Sequence, residues 1–217
     1  MSGLFNRRAF GRGHLYLSYR AILGVVLLAT QALVSPLLAE PGHYSWTALA
    51  ESASVLIYSG GKAGMGARVY DGDLVVTCAH VIGNESDIEV EGIGMPKEKA
   101  TLIAKDDRLD VAVLRLKTVK IPFKMYWGQD GLPKGTRVIQ ANKLHFEGPA
   151  SITHAEVTAH MWSGNPVISA KPRPGYSGGA VFLANGQLVG ITAGAAIDGE
   201  RIGTDIIPVE VIRKLLP

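Results

Sequence analysis

Arg173–Phe182 reads RPGYSGGAVF. One serine, Ser177, stands between Gly175 and the Gly178–Gly179 pair, and the strand-like AVF follows at once. Glycines reach positive φ without strain, so main-chain N–H groups around the serine can converge on one point. Two readings fit these ten residues: a nucleophile presented on a tight turn, or a glycine-rich hairpin. Taken alone, the hairpin is the default. A nucleophile needs an imidazole to take its proton and a carboxylate to orient that imidazole.

The surrounding texture is that of short strands. Runs rich in Val, Ile and Leu recur: SVLIY (54–58), ARVYD (67–71), DLVVTCA (73–79), DIEVEGI (87–93), KATLIAKD (99–106) and DVAVLRLK (110–117). They continue with TRVIQAN (136–142), SITHAEVTA (151–159), NPVISA (165–170), GAVFLA (179–184) and QLVGITA (187–193). Turn chemistry separates them, as in DGD (71–73), QDGLPKG (129–135) and ANG (184–186). Strands at this spacing predict an all-β sandwich or barrel. Helix is expected only at the C-terminus, over PVEVIRKLL (208–216), and as a single turn after His80.

Three side chains supply the missing chemistry. His80 ends the apolar run DLVVTCAH, where a side chain can face a cleft. Asp110 opens the almost wholly apolar DVAVLRL, and a carboxylate partly buried there needs a partner. The bland alternatives are a structural histidine and a turn aspartate. Asp106 and Asp107, in a polar run, fit the turn role better than Asp110 does. The only cysteine, Cys78, allows no intrachain disulfide. Its apolar flanks VVTCAHVI predict a small buried residue and not a nucleophilic thiol.

His80, Asp110 and Ser177 occur in that chain order, each at a strand end or turn. TCAH (77–80), DVAVLRL (110–116) and GYSGGAVF (175–182) resemble the three signature blocks of chymotrypsin-fold serine peptidases. The closest resemblance is to the protease domain of bacterial HtrA-type proteases, with GMGARV (64–69), GQLVGITAG (186–194) and IIPVEVIRKLL (206–216) as further matches. The resemblance covers roughly residues 50–216. It implies two six-stranded antiparallel β-barrels with a short C-terminal helix. It also implies a serine endopeptidase in which Ser177 attacks the scissile carbonyl, His80 is general base then acid, and Asp110 fixes the His80 tautomer. The N–H groups of Gly175 and Ser177 would hold the oxyanion, and Thr192, Ala193, Gly194 and Ala195 would pair with substrate main chain. Protein or peptide substrates are implied, with no cofactor and no metal. Tyr176 stands where the family commonly has Asp or Asn. No PDZ domain is expected after residue 217, and no freed N-terminus of the digestive-enzyme kind is expected to activate the enzyme. A catalytically silent chymotrypsin-fold module that binds peptides is the alternative from another class.

Small walls at Ala193, Gly194 and Ala195, and the absence of an acid just before Gly175, disfavour cleavage after Lys or Arg. They favour small or medium apolar residues. His145, His154 and His160 lack metal-ligand spacing, and Trp46, Trp127 and Trp162 are expected to pack.

Charge and hydropathy add a compartment. The chain of 217 residues has a net charge of +3. Residues 1–39 hold four arginines and no acid; removing those four from 22 basic residues leaves 18 against 19 acidic ones. The body is thus close to neutral, with no basic stripe for nucleic acid. A basic segment followed by AILGVVLLATQALVSPLLA (21–39) has the layout of a secretory signal peptide, with cleavage expected after Ala39. The run is also long enough for an uncleaved anchor, so residues 21–39 are alternatively a membrane tether with the catalytic domain outside the cytoplasm. NRRAFGR (6–12) only weakly resembles a twin-arginine export signal. The expected organisation is a leader or anchor over 1–39 and an exported, periplasmic or secreted peptidase domain over 40–217.

Overall fold

A computed structural model describes residues 46–92, 95–117, 125–142, 150–198 and 201–217. The leader expected over residues 1–39 lies outside the described residues, as do His145 and the side chain of Trp46. The first half contains α1 (Trp46–Ala53), β1 (Ser54–Ser59), β2 (Lys62–Val69), β3 (Leu74–Thr77), α2 (Ala79–Ile82), β4 (Ile88–Gly92), β5 (Met95–Lys99), β6 (Thr101–Asp106) and β7 (Val111–Arg115). The second half contains β8 (Arg137–Asn142), β9 (Ser151–His160), β10 (Pro166–Ile168), β11 (Ala180–Phe182), β12 (Leu188–Asp198), β13 (Arg201–Pro208) and α3 (Val209–Ile212).

β8 to β13 form a closed six-stranded antiparallel barrel in the order β10-β13-β12-β11-β8-β9. The first half is a seven-stranded sheet in the order β5-β4-β1-β2-β3-β7-β6. The expectation of two closed six-stranded barrels is corrected accordingly, and Ala100 supplies the reason. Pairing switches there: Lys99 faces Glu89 on β4, whereas Thr101 faces Arg115 on β7. The Ala100 N–H bonds to Ile88 O at 2.9 Å and leaves the β6–β7 ladder. The two edge strands, β5 and β6, are therefore separated only by Ala100 in sequence. The sheet curls until its edges are one run of chain.

The long apolar runs are buried on both faces. In β7, Val111, Ala112, Val113 and Leu114 are all fully buried. In β11, successive side chains point to opposite faces. Val181 faces into the barrel with Val189 and Ile206, while Ala180 and Phe182 face outward into the core shared with Val76, Val113 and Ile207. Each such aliphatic side chain contributes about 1.5–3 kcal/mol through removal from water.

Gly178 is a point of close approach between the two halves. Ser177 O accepts the Met65 N–H of β2 at 2.8 Å, and Gly178 has φ +87°. A Cβ on Gly178 would overlap Met65 O and crowd Thr77 Oγ1. Gly178→Ala is expected to cost about 3 kcal/mol, from steric overlap plus left-handed strain. Thermal melting reads this directly; an unchanged Tm would show that β2 does not confine this position.

Three elements depart from expectation. α1 forms over WTALAESA, a span too short to announce itself by periodicity. β13 forms over RIGTDIIP, a run with no strand alternation, because it pairs along its length with β12. The C-terminal helix is only Val209–Ile212, with hydrogen-bonded turns after it. Trp127 packs as expected, edge-on to Tyr70 at 5.9 Å. Trp162 does not: it is fully exposed on a tight turn closed by Met161 N–H to Asn165 O at 2.8 Å, which turns the side chain outward. No helix among the described residues is long and apolar enough to cross a membrane.

Candidate active site

His80 lies in the first turn of α2, directly after β3. Cys78, in extended conformation, ends the strand run and starts the helix. Asp110 immediately precedes β7, which pairs with β3, so strand pairing brings the two residues together. The Ala79 N–H bonds to Asp110 O at 3.1 Å. The His80 N–H donates to Asp110 Oδ1 at 3.0 Å, and His80 Nδ1 lies 3.0 Å from Oδ1 and 2.8 Å from Oδ2. One carboxylate thus holds both the backbone and the ring of the histidine. A carboxylate accepts only, so the ring carries its proton on Nδ1 and leaves Nε2 as the basic nitrogen.

Asp110 adopts φ +55°, one of two non-glycine residues with positive φ among the described residues. Aspartate tolerates this region better than most side chains, and such strain gathers at functional sites. The neighbouring acids have the structural tasks expected of them. Asp106 Oδ1 accepts the N–H groups of Arg108 and Leu109 at 2.8 and 3.0 Å, and Asp107 pairs with Lys105 at 2.8 Å.

The hydrogen bond and the charge of Asp110 raise the His80 pKa above the ordinary histidine value. Partial burial and nearby Lys62 oppose that shift. The side chains of His80 and Asp110 are 51% and 33% exposed. Solvent screening therefore limits what the pair adds to stability to about 1 kcal/mol at most.

Ser177 sits on the turn between β10 and β11. Tyr176 N–H bonds to Arg173 O at 3.2 Å, and Gly179 N–H to Tyr176 O at 2.9 Å. Gly175 has φ +82°. Among the described residues, the N–H groups of Gly175 and Ser177 have no acceptor, so both can donate to a ligand. Ser177 Oγ donates to Ala193 O at 2.9 Å. No hydrogen bond joins it to His80. The histidine–aspartate pair is thus assembled, whereas the serine hydroxyl is turned toward β12.

Two backbone groups clasp the His80 side to the Ser177 side. Thr192 O accepts both Cys78 Sγ–H at 3.2 Å and Gly178 N–H at 2.7 Å. The Met65 peptide accepts Thr77 Oγ1–H at 2.6 Å and donates to Ser177 O. Of these residues, Met65 and Thr77 were not read as part of the site. Thr77 offered the one available signal, a polar side chain inside an apolar strand.

Thr192, Gly194 and Ala195 line a cavity of about 330 Å³ together with Ser177 and the turn 172–174. Ala193 is present through the carbonyl that holds Ser177 Oγ. Gln140 Nε2 donates to Thr192 Oγ1 at 2.9 Å and anchors that side chain in the buried interior.

Potential ligand atoms of Cys78, His80 and Asp110 lie within 4.8 Å of one another. Burial, with the nearby negative charge of Asp110, pushes the Cys78 thiol well above its ordinary pKa. Nucleophilic attack needs an accessible thiolate, so the buried Cys78, whose Sγ–H is given to Thr192 O, does not suit a nucleophile. Iodoacetamide is expected to leave Cys78 of the folded chain unmodified and to alkylate it fully in guanidinium. Rapid alkylation of the native protein, read by intact mass, would contradict this.

Residues 64–191 match the model of the trypsin-like peptidase domain. That span is more than half of the chain, and the chain belongs to this family. Within it the chain is related to the HtrA and DegP serine proteases. It is 30% identical over 152 residues to the probable periplasmic serine endoprotease DegP-like of Buchnera aphidicola subsp. Baizongia pistaciae, covering 65% of this chain and 32% of that protein. It is 32% identical over 152 residues to the periplasmic serine endoprotease DegP of Salmonella typhimurium, with the same shares. The chain thus spans about a third of the length of these curated relatives. An inactive form of Rv3671c from M. tuberculosis superposes with a TM-score of 0.65 at 23% identity, covering 80% of this chain and 89% of that one, a likeness of fold.

Proposed function

We propose that this chain is a serine endopeptidase acting through Ser177, His80 and Asp110, and that residues 40–217 form its peptidase domain. The observation that carries the reading is the grip of Asp110 on both the N–H and Nδ1 of His80, which aims a basic Nε2 outward. Ser177 Oγ attacks the scissile carbonyl and its proton passes to Nε2. The carbonyl oxygen becomes an oxyanion, which the N–H groups of Gly175 and Ser177 stabilise. The C–N bond breaks as the His80 imidazolium returns the proton to the leaving amine. Water, deprotonated by His80, then releases the acyl group and restores Ser177. Main chain of the substrate pairs with Thr192–Ala195 as an added strand. The chemistry uses side chains and backbone of this chain alone. Residues 1–39 act as an export leader or tether that places the domain outside the cytoplasm, in keeping with the periplasmic names of its relatives.

The bond from Ser177 Oγ to Ala193 O favours a second reading, a peptide-binding module without turnover. A fluorophosphonate probe on the purified full chain separates the two. Labelling at Ser177, lost in His80→Ala, is the expected result. An unlabelled, folded chain would favour the binding module.

A further inference from the structure

The cavity beside Ser177 has small, uncharged walls at Gly194 and Ala195. Walls alone favour apolar side chains, as expected from the sequence. Its opposite side is the turn Pro172–Arg173–Pro174, and Arg173 is the one charged residue in the lining. Two prolines hold that turn with fixed φ, and the Tyr176 N–H bonds back to Arg173 O. The backbone of Arg173 is therefore held in place four residues before the serine.

No carboxylate among the described residues pairs with the Arg173 guanidinium. The nearest competitor by register is Asp205, which faces Gly194 across the β12–β13 ladder. Asp205 does not line the cavity, and it lies more than half buried on β13, where burial raises its pKa above the ordinary carboxylate value. Lys171, exposed and two residues away from Arg173, adds charge of the same sign.

From this arrangement we infer that the cavity selects an acidic side chain, bound through Arg173, at the substrate residue whose carbonyl Ser177 attacks. The inference rests on the peptidase reading above and adds a substrate class to it. A planar guanidinium with its fork of donors matches a carboxylate in geometry as well as charge. A lysine or arginine side chain entering the same cavity meets like charge and no acceptor of opposite sign.

The test uses the full chain and peptide substrates with amidated C-termini, so only the side chain supplies a carboxylate. The peptides differ at the cleaved residue alone: Glu, Gln, Val or Lys. Glu is expected to exceed its isostere Gln by about tenfold in kcat/KM, since a charge-assisted contact replaces a neutral one. Arg173→Ala should bring the Glu-to-Gln ratio close to one, and Arg173→Glu should move the preference to Lys. Raising the salt concentration should compress the wild-type ratio, a readout that needs no variant. Val or Gln cleaved as well as Glu, or a ratio untouched by Arg173→Ala, would overturn the inference. Fluorophosphonate labelling of the same sample tells the failures apart. A labelled Ser177 without a Glu preference overturns the specificity alone, whereas no labelling and no hydrolysis overturn both readings.

Discussion

Ser177→Ala is expected to lower peptide hydrolysis by at least about 10⁴-fold. Fluorophosphonate labelling should vanish with it, because in the proposed mechanism Oγ is the atom that forms the acyl bond. The same change should barely move the melting temperature. The hydroxyl makes one hydrogen bond, to Ala193 O, at a half-buried position. Losing such a bond costs about 0.5–1.5 kcal/mol, and the backbone contacts of Ser177 with β2 do not involve the side chain. Activity and stability should therefore separate cleanly. Hydrolysis at the wild-type rate in the variant would remove Ser177 from the mechanism.

Asp110→Asn is the second large effect, and it carries a pH signature. An asparagine can still accept the His80 N–H through Oδ1. Its NH₂ group, however, would donate to Nδ1 and drive the proton to Nε2, the nitrogen that must be basic. A fall of about 10⁴-fold in kcat near neutral pH is expected. The hydrogen bond to Asp110 is the main reason the His80 pKa is raised. Activity needs neutral His80, so in the wild-type enzyme it should rise with pH through a midpoint above the ordinary histidine value. In Asp110→Asn the residual activity should titrate at lower pH. The stability linkage runs the other way. A raised histidine pKa stabilises the fold fully below the unfolded value, and that increment is lost as pH rises through the folded one. With His80 half exposed, the activity profile is the sensitive readout. A fall of less than tenfold, or an unmoved midpoint, would show that Asp110 does not orient His80.

Legibility of the fold followed burial. DVAVLRL and GAVFLA stand out in the sequence because their strands are apolar on both faces, one turned to a barrel interior and one to the shared core. RIGTDIIP does not stand out. Its Arg, Thr and Asp break the alternation, and its strand exists through its partner β12. The split of residues 95–106 at Ala100 was invisible for a similar reason, since it reflects a change of pairing partner and not of residue type. In the site, His80, Asp110 and Ser177 were readable as residue types at strand ends in a familiar order. The direction of Ser177 Oγ was not, because a hydroxyl rotamer answers to carbonyls brought in from distant strands. Nor was the placement of Arg173 beside the cavity, which depends on how the turn 172–174 lies against β12. Trp162 shows the converse error: a large aromatic read as core is carried out into solvent by its turn.

The shared clasps at Thr192 O and the Met65 peptide tie the juxtaposition of His80 and Ser177 to the docking of one half of the chain on the other. Neither half holds it alone: β3 and α2 supply the histidine, β10–β12 the serine, and the bonds between them exist only once both are folded. The site is thus complete only where both halves are folded and docked. A first half folded by itself would keep the grip of Asp110 on His80, but it would hold neither Ser177 nor the Thr192 carbonyl that receives Cys78 Sγ–H.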